Sequence, residues 1–164
     1  NVTGVQTCAL PICSLVSVLV LTFAVASTGA QTSRPSVSLG EVTGTFRMNF
    51  TGKFRGSYDE IKIASAGRGK LRIAMDLVYP YLMQNNEPMV NMGSLDETFT
   101  IAGDTASYTS EDGNCTLKVR FVRPGTIKVT QSGSDAECGF GHNVSADGTY
   151  RKTSGKKPTF EENQ

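Results

Sequence analysis

The stretch CTLKVRFVRPGTIKVTQ, at positions 115–131, decides the fold of this chain. Apolar and polar residues alternate in both of its halves, as Leu117 and Val119 show in the first. A period of two is typical of strands that bury one face. Between the halves, Pro124 presets φ and Gly125 accepts a positive φ, which suits a type II turn. The stretch therefore predicts a β-hairpin.

The same alternation extends outward from this hairpin over most of the chain. The apolar positions that share strand faces are Val42, Gly44, Phe46, Met48 and Phe50; Ile61 and Ile63; Leu71, Ile73, Met75, Leu77 and Tyr79; and Phe99 and Ile101. We expect about eight antiparallel strands in an up-and-down, lipocalin-like barrel, with a two-sheet β-sandwich as the alternative. The similar strings GTFR at 44–47 and GTYR at 148–151 favour pairing of the first and last strands.

The first thirty residues carry no charged side chain. Residues 1–12 resemble the translation of a sequencing adapter, so we leave them out of fold reasoning. Residues 13–30 combine an apolar run with small residues before Gln31, as a signal peptide does. We expect cleavage after Ala30 and a soluble, periplasmic or secreted protein without a stable membrane anchor. An uncleaved N-terminal anchor is the alternative.

Residues 31–152 are then the predicted barrel domain, and residues 153–164 a polar C-terminal tail. The net charge of +1 gives no field that would steer the chain toward nucleic acid or an anionic membrane. We therefore expect no nucleic-acid partner. We also expect a monomer.

Two of the four cysteines, Cys115 and Cys138, lie in the predicted mature chain. In an exported protein an even pair indicates a disulfide. Two free thiols, or half of a metal site, are the alternatives. Since the chain has one histidine and no CxxC motif, we expect no metal site and no cofactor.

From about Gly93 to Phe160 the chain resembles a family of small exported bacterial proteins of uncharacterised function. The strings that carry the resemblance are CTLKVRF at 115–121, PGTIKVTQ at 124–131, DAECGFGHNVSADGTYRK at 135–152 and KKP at 156–158. The resemblance implies a β-rich fold and paired cysteines, but no catalytic residues. A looser likeness is to periplasmic lysozyme inhibitors, although their Ser-Gly-x-x-x-Tyr type of loop has no counterpart in a matching register here.

The residues that could carry catalysis are sparse. His142 is the only histidine, and the chain has no GxSxG motif to supply a nucleophile beside it. In the string Gly139-Phe140-Gly141 we expect both glycines to take unusual backbone angles while Phe140 packs inward. The acidic pairs 111–112 and 135/137 are interpreted as solvated turns. The chain is therefore not expected to be an enzyme.

Aromatic residues and methionines cluster near Tyr81 to Ser94, a stretch without period that we interpret as a long loop. The candidate ligand-binding residues are Tyr79, Tyr81, Met83, Met89 and Met92. We expect a non-catalytic binding module that takes a small apolar or amphipathic ligand at the barrel mouth. The alternative is a protein-binding inhibitor of an envelope or host hydrolase. The ligand or protein partner is not identified by the sequence.

Basic residues alternate on the strand faces opposite the apolar ones. They are Arg47, Arg72, Lys118, Arg120, Lys128 and Arg151. An ordinary solvated exterior explains them. The sharper interpretation is a positive stripe that meets an acidic partner, such as an anionic polymer at the cell envelope.

Overall fold

The computed structural model describes residues 37–160. The adapter-like segment and the predicted signal peptide lie outside these residues, as do the last four residues of the predicted tail. The elements are α1 (Leu39–Val42), β1 (Gly44–Asn49), a 3-10 turn (Gly52–Phe54), β2 (Tyr58–Gly67), β3 (Lys70–Leu82), β4 (Pro88–Ala102), β5 (Thr105–Thr109), β6 (Thr116–Arg123), β7 (Thr126–Ser132) and β8 (Gly148–Ser154).

The eight strands form a closed antiparallel barrel in which each strand pairs with its neighbours in chain order. β8 closes the barrel on β1, where Arg47 lies opposite Arg151. The predicted barrel and the predicted pairing of the first and last strands are confirmed, and the β-sandwich alternative is wrong. Closure leaves no unpaired strand edge around the barrel wall, which removes a template for aggregation.

The core follows from the alternation in the sequence, because every second strand residue points inward. Phe46, Ile73, Val119 and Tyr150 have no solvent-accessible surface and belong to one contiguous cluster. The hydroxyl of Tyr150 donates a hydrogen bond to the carbonyl of Ala146 at 3.0 Å. The burial of Tyr150 therefore leaves no polar group unpaired.

The helix α1 covers the end of the barrel where β8 finishes. The backbone N–H and hydroxyl of Ser38 both donate to the carboxylate of Glu41, as in a capping box. Lys152 of β8 donates from Nζ to the carbonyls of Gly40, Glu41 and Thr43, each at 2.9 Å. Val42 is thereby held in the core from a helix, not from the strand predicted for it.

The predicted loop from Tyr81 to Ser94 is wrong. β3 continues to Leu82 and β4 begins at Pro88, so only five residues connect the two strands. At the C-terminus, β8 extends to Ser154, and the ring of Phe160 lies 4.5 Å from the guanidinium carbon of Arg72. No helix within residues 37–160 is long and apolar enough to cross a membrane.

Candidate functional site

The hairpin of β3 and β4 is longer than the barrel wall that supports it. The β2–β3 ladder ends where Glu60 lies opposite Asp76, but β3 and β4 continue to pair as far as Leu82 and Pro88. Six residue pairs at about 3.3 Å per residue correspond to about 20 Å. We call residues 78–92 of this extension the arm.

Asp59 holds the β3 side of the arm at its base. This residue is 1% exposed, and its Oδ1 accepts a hydrogen bond of 2.7 Å from the backbone N–H of Val78. The carboxylate takes the place of a strand partner just beyond the end of the β2–β3 ladder. Burial raises the pKa of Asp59 to about 6, while the bond from Val78 opposes that rise.

The next backbone position on that side of the arm is a proline, which prevents it from pairing with another strand. Backbone N–H groups of residues i and i+2 point the same way in a strand, so position 80 faces the same side as Val78. Pro80 has no N–H, and a partner strand would find no donor there. The arm is therefore suited to contacts through its side chains rather than to addition of another strand.

The loop between β7 and β8 packs against the β4 side of the arm. The N–H of Gly141 donates to the carbonyl of Met92 at 3.0 Å, and the amide of Asn91 donates to the carbonyl of His142 at 2.7 Å. A Cβ at Gly141 would overlap the Met92 carbonyl, and one at Gly93 would press on Phe140. The two glycines allow the close approach of loop and arm.

A disulfide fastens this loop to the start of β6. Cys115 and Cys138 are bonded, with their Cα atoms 5.0 Å apart, as the sequence predicts. Asp135 accepts hydrogen bonds from the N–H groups of Ala136 and Asn143, at 2.8 and 2.6 Å. Glu137 accepts from the backbone N–H of Ser134 at 2.6 Å. The arm is thus supported by a loop that the disulfide and these hydrogen bonds hold in place.

Hydrogen bonds of this kind give the acidic pairs 111–112 and 135/137 a structural role in turns. They hold turns together, and they lower the pKa values of Asp135 and Glu137. Asp112 accepts from Ser110 and Asn114 in the same manner. No group of three or more potential metal ligands occurs within the described residues.

The predicted ligand-binding residues all lie on or beside the arm. Tyr81 pairs with Met89, so these two and Tyr79 share the face that continues the inside of the barrel. The rings of Tyr79 and Tyr81 are stacked, with centroids 6.3 Å apart. Met83 ends the hairpin, and Met92 lies on the opposite face with 69% of its surface exposed. The structure therefore brings three of the five residues together on one face.

Sequence reasoning missed Val90, which is 47% exposed on the same face as Met92. With Tyr79 (40% exposed), Met83 and Met89, these side chains give the arm an apolar surface on both faces. A two-residue spacing from Val90 to Met92 was the available signal. This signal was hidden because residues 81–94 have no overall period and were interpreted as a loop.

The barrel interior behind the arm is filled by side chains. Phe46 and Val119 have no accessible surface and Leu77 is 1% exposed, so side chains pack closely around them inside the barrel. At the other end of the barrel, beside α1, a solvent-open groove of about 640 Å³ is lined by apolar residues such as Val37 and Val122 and by charged residues such as Glu41 and Arg123. Room for a small molecule therefore exists beside α1.

His142 lies at the surface near the base of the arm. Its side chain is 82% exposed, and Nδ1 is 3.7 Å from Oδ2 of Asp135. Gly139 has a positive φ and Phe140 is buried, as predicted, but Gly141 does not have a positive φ. Gly141 is needed for space beside Met92, not for its backbone angle.

Comparisons with models of protein families, with curated proteins and with solved structures find no match to the chain. The resemblances drawn from the sequence thus stay predictions. The geometry of the arm carries the functional argument.

Proposed function

We propose that this chain is an exported, non-catalytic protein-binding module that inserts its arm into an apolar cleft of a partner protein. The observation that carries the proposal is a braced, two-stranded arm with exposed Tyr79, Met83, Met89, Val90 and Met92. Tyrosine and methionine are adaptable contact residues at interfaces. Contiguous exposed apolar surface of this kind marks interaction sites.

Rigidity supports the proposal as much as composition does. Asp59 and the disulfide-tied loop fix the arm from both sides, so little conformational entropy is lost when a partner binds. The active sites of hydrolases that process cell-envelope polymers are clefts, into which a projecting hairpin can insert. An inhibitor of such a hydrolase is the specific form of the proposal. The disulfide is compatible with the oxidising compartment that export would provide.

Inhibition of a panel of purified lysozymes tests this form directly. We expect the intact protein to inhibit at least one of them, and the double variant Tyr79→Ser/Met92→Ser to inhibit about tenfold less well, since two interface anchors are lost. Val122→Ser is the matched control, because Val122 is 53% exposed at the far end of the barrel. Equal losses in both variants would contradict the proposal.

Site-specific photo-crosslinking tests the arm without assuming a partner class. A benzophenone amino acid at Met83 should give one dominant adduct with another protein in the envelope of the exporting cell. The same group at Val122 should give none. Adducts of equal yield and pattern at both positions would count against the arm as the binding surface.

The groove beside α1 favours a second candidate function. Its mixed lining of apolar and charged side chains and its open form suit a small amphipathic ligand, as the sequence predicts for a barrel mouth. Native mass spectrometry should then show a co-purified small molecule that is lost from a Val37→Asp variant, since Val37 lines the groove and is only partly buried. An unmodified protein mass in both samples argues for the arm alone.

A further inference from the structure

Three neighbouring strands of the barrel wall carry positive charge without any negative charge. β6, β7 and β8 contain no aspartate or glutamate in their sequences TLKVRFVR, TIKVTQS and GTYRKTS. Their basic residues are Lys118, Arg120, Arg123, Lys128, Arg151 and Lys152. Since the chain as a whole has a net charge of only +1, its charge is strongly segregated.

Four of these cations lie together on the outer surface. Lys118 and Arg120 share the outer face of β6, and Arg120 lies directly opposite Lys128 of β7. Arg151 of β8 is the next outward residue beyond Thr149, which pairs with Lys128. We call Lys118, Arg120, Lys128 and Arg151 the basic face.

Most of the positive charge of the basic face is not neutralised by nearby carboxylates of the described residues. Lys118, Lys128 and Arg151 form no ion pair within residues 37–160. Arg120 contacts Asp104 at 3.1 Å, but its side chain is 64% exposed and can reach a second anion. Like charges directly opposite each other destabilise a sheet, and Arg120 and Lys128 are such a pair. An external anion would relieve that repulsion.

Four residues that carry hydroxyl groups line a shallow depression beside the basic face. It has a volume of about 530 Å³ and is formed by Thr100, Thr105, Ser107 and Thr130 together with Lys118 and Arg120. Serine and threonine hydroxyls both donate and accept hydrogen bonds. Cations interleaved with hydroxyls match a polymer that carries both acidic groups and hydroxyls.

We propose that the basic face and this depression bind an anionic polysaccharide. The Cα atoms of residues opposite each other on adjacent strands are about 5 Å apart, and those of residues two apart on one strand are about 7 Å apart. The four cations are therefore spread over the wall, which favours repeated charges over a single small anion. The two aromatic side chains of β6–β8, Phe121 and Tyr150, are buried. The face therefore offers no stacking platform for the bases of a single-stranded nucleic acid.

Binding of the intact protein to polygalacturonate and to heparin tests the proposal, with uncharged dextran and a DNA duplex in parallel. The first polymer presents carboxylates and the second also presents sulfates, so the pair distinguishes the two acidic groups. We expect one or both to bind at about 50 mM salt and to weaken as salt rises, because charge contacts are screened. Failure of both to bind, or tighter binding of the DNA duplex, would overturn the proposal.

The double variant Lys118→Gln/Lys128→Gln should bind about tenfold less tightly, since two unpaired cations are neutralised. Lys53→Gln/Arg55→Gln removes the same charge from the exposed β1–β2 connection and should change the affinity less than about twofold. Equal losses in the two variants would mean that only net charge matters, and would refute a defined face. The lysozyme assays on arm variants remain independent of this result, because the basic face and the arm share no residue.

Discussion

The buried carboxylate of Asp59 accepts the backbone N–H of Val78 at 2.7 Å, at the point where β3 leaves β2 to form the arm. The side chain of Asp59 takes the place of a backbone partner here, because the β2–β3 ladder ends at the pair Glu60–Asp76. The cost is a carboxylate held away from water, which raises its pKa to about 6. The arm therefore depends on a group that titrates in a mildly acidic range.

The contribution of Asp59 to the stability of the protein should fall as pH rises from about 4 to about 6. The folded state holds the Asp59 proton up to pH 6, whereas the unfolded chain releases it near pH 4, so folding is favoured most at the acidic end. A pKa difference of this size corresponds to at most about 3 kcal/mol, and the contribution is constant above pH 6. Urea unfolding from pH 4 to pH 7.5 measures it.

Asp59→Asn isolates this contribution from other titrating groups. The amide oxygen still accepts from Val78, but no charge is buried, so the variant should be about 1–3 kcal/mol more stable than the wild type at pH 7. The difference should shrink toward pH 4. The stability of the variant minus that of the wild type should be larger at pH 7 than at pH 4. A smaller difference at pH 7 would show that the ionised carboxylate stabilises the arm.

The barrel was predictable because its strands bury one face, so that Leu117, Val119 and Phe121 alternate with polar residues. The arm extends beyond the barrel core, and its exposed apolar residues therefore occupy both faces. Pro80 and Pro88 lie within the strands of the arm, since proline is tolerated where a strand has a free edge. The period of two was thus lost where the hairpin leaves the wall.

Asp59 was missed for a different physical reason. In the sequence, Tyr58-Asp59-Glu60 looks like the polar end of a strand. The structure shows that the β2–β3 ladder ends there, so that an inward-facing carboxylate can accept a backbone hydrogen bond from β3. The helix α1 had a visible signal, Ser38 followed by Glu41 in a capping box, but its four residues are too few for a helical period. The alternation of residues in the sequence predicted the barrel wall. The contacts at the two ends of the barrel became visible only in the three-dimensional structure.

Removal of the disulfide should destabilise the fold and loosen the loop beside the arm. Cys115→Ser/Cys138→Ser frees a loop closed over a sequence separation of 23, which is worth about 3 kcal/mol in the chain-entropy model. Thermal unfolding measures the loss, and hydrogen exchange at Gly141 reports the loop. Gly141 should exchange faster, because its N–H bonds to Met92 across the contact that the disulfide supports. Unchanged exchange would mean that the loop is held by its own turns.

Gly141→Ala should destabilise the protein by about 1–3 kcal/mol, since the new methyl group overlaps the carbonyl of Met92. Gly155→Ala is the matched control. A Cβ at Gly155 has no neighbour within 4 Å, so the same chemical change should alter the melting temperature by less than about 2 °C. Equal effects in the two variants would show that the loop moves aside at little cost.

Lys128→Gln should leave the protein slightly more stable, by up to about 0.5 kcal/mol at low salt, because it removes the repulsion between Lys128 and Arg120. The gain should vanish at high salt, where the charges are screened. Lys53→Gln, on the exposed β1–β2 connection, should give no such gain. A salt-dependent gain for Lys128 alone means that the chain retains the opposed cations at a cost in stability, as a surface kept for binding would. A loss of stability at low salt would mean instead that Lys128 supports the sheet.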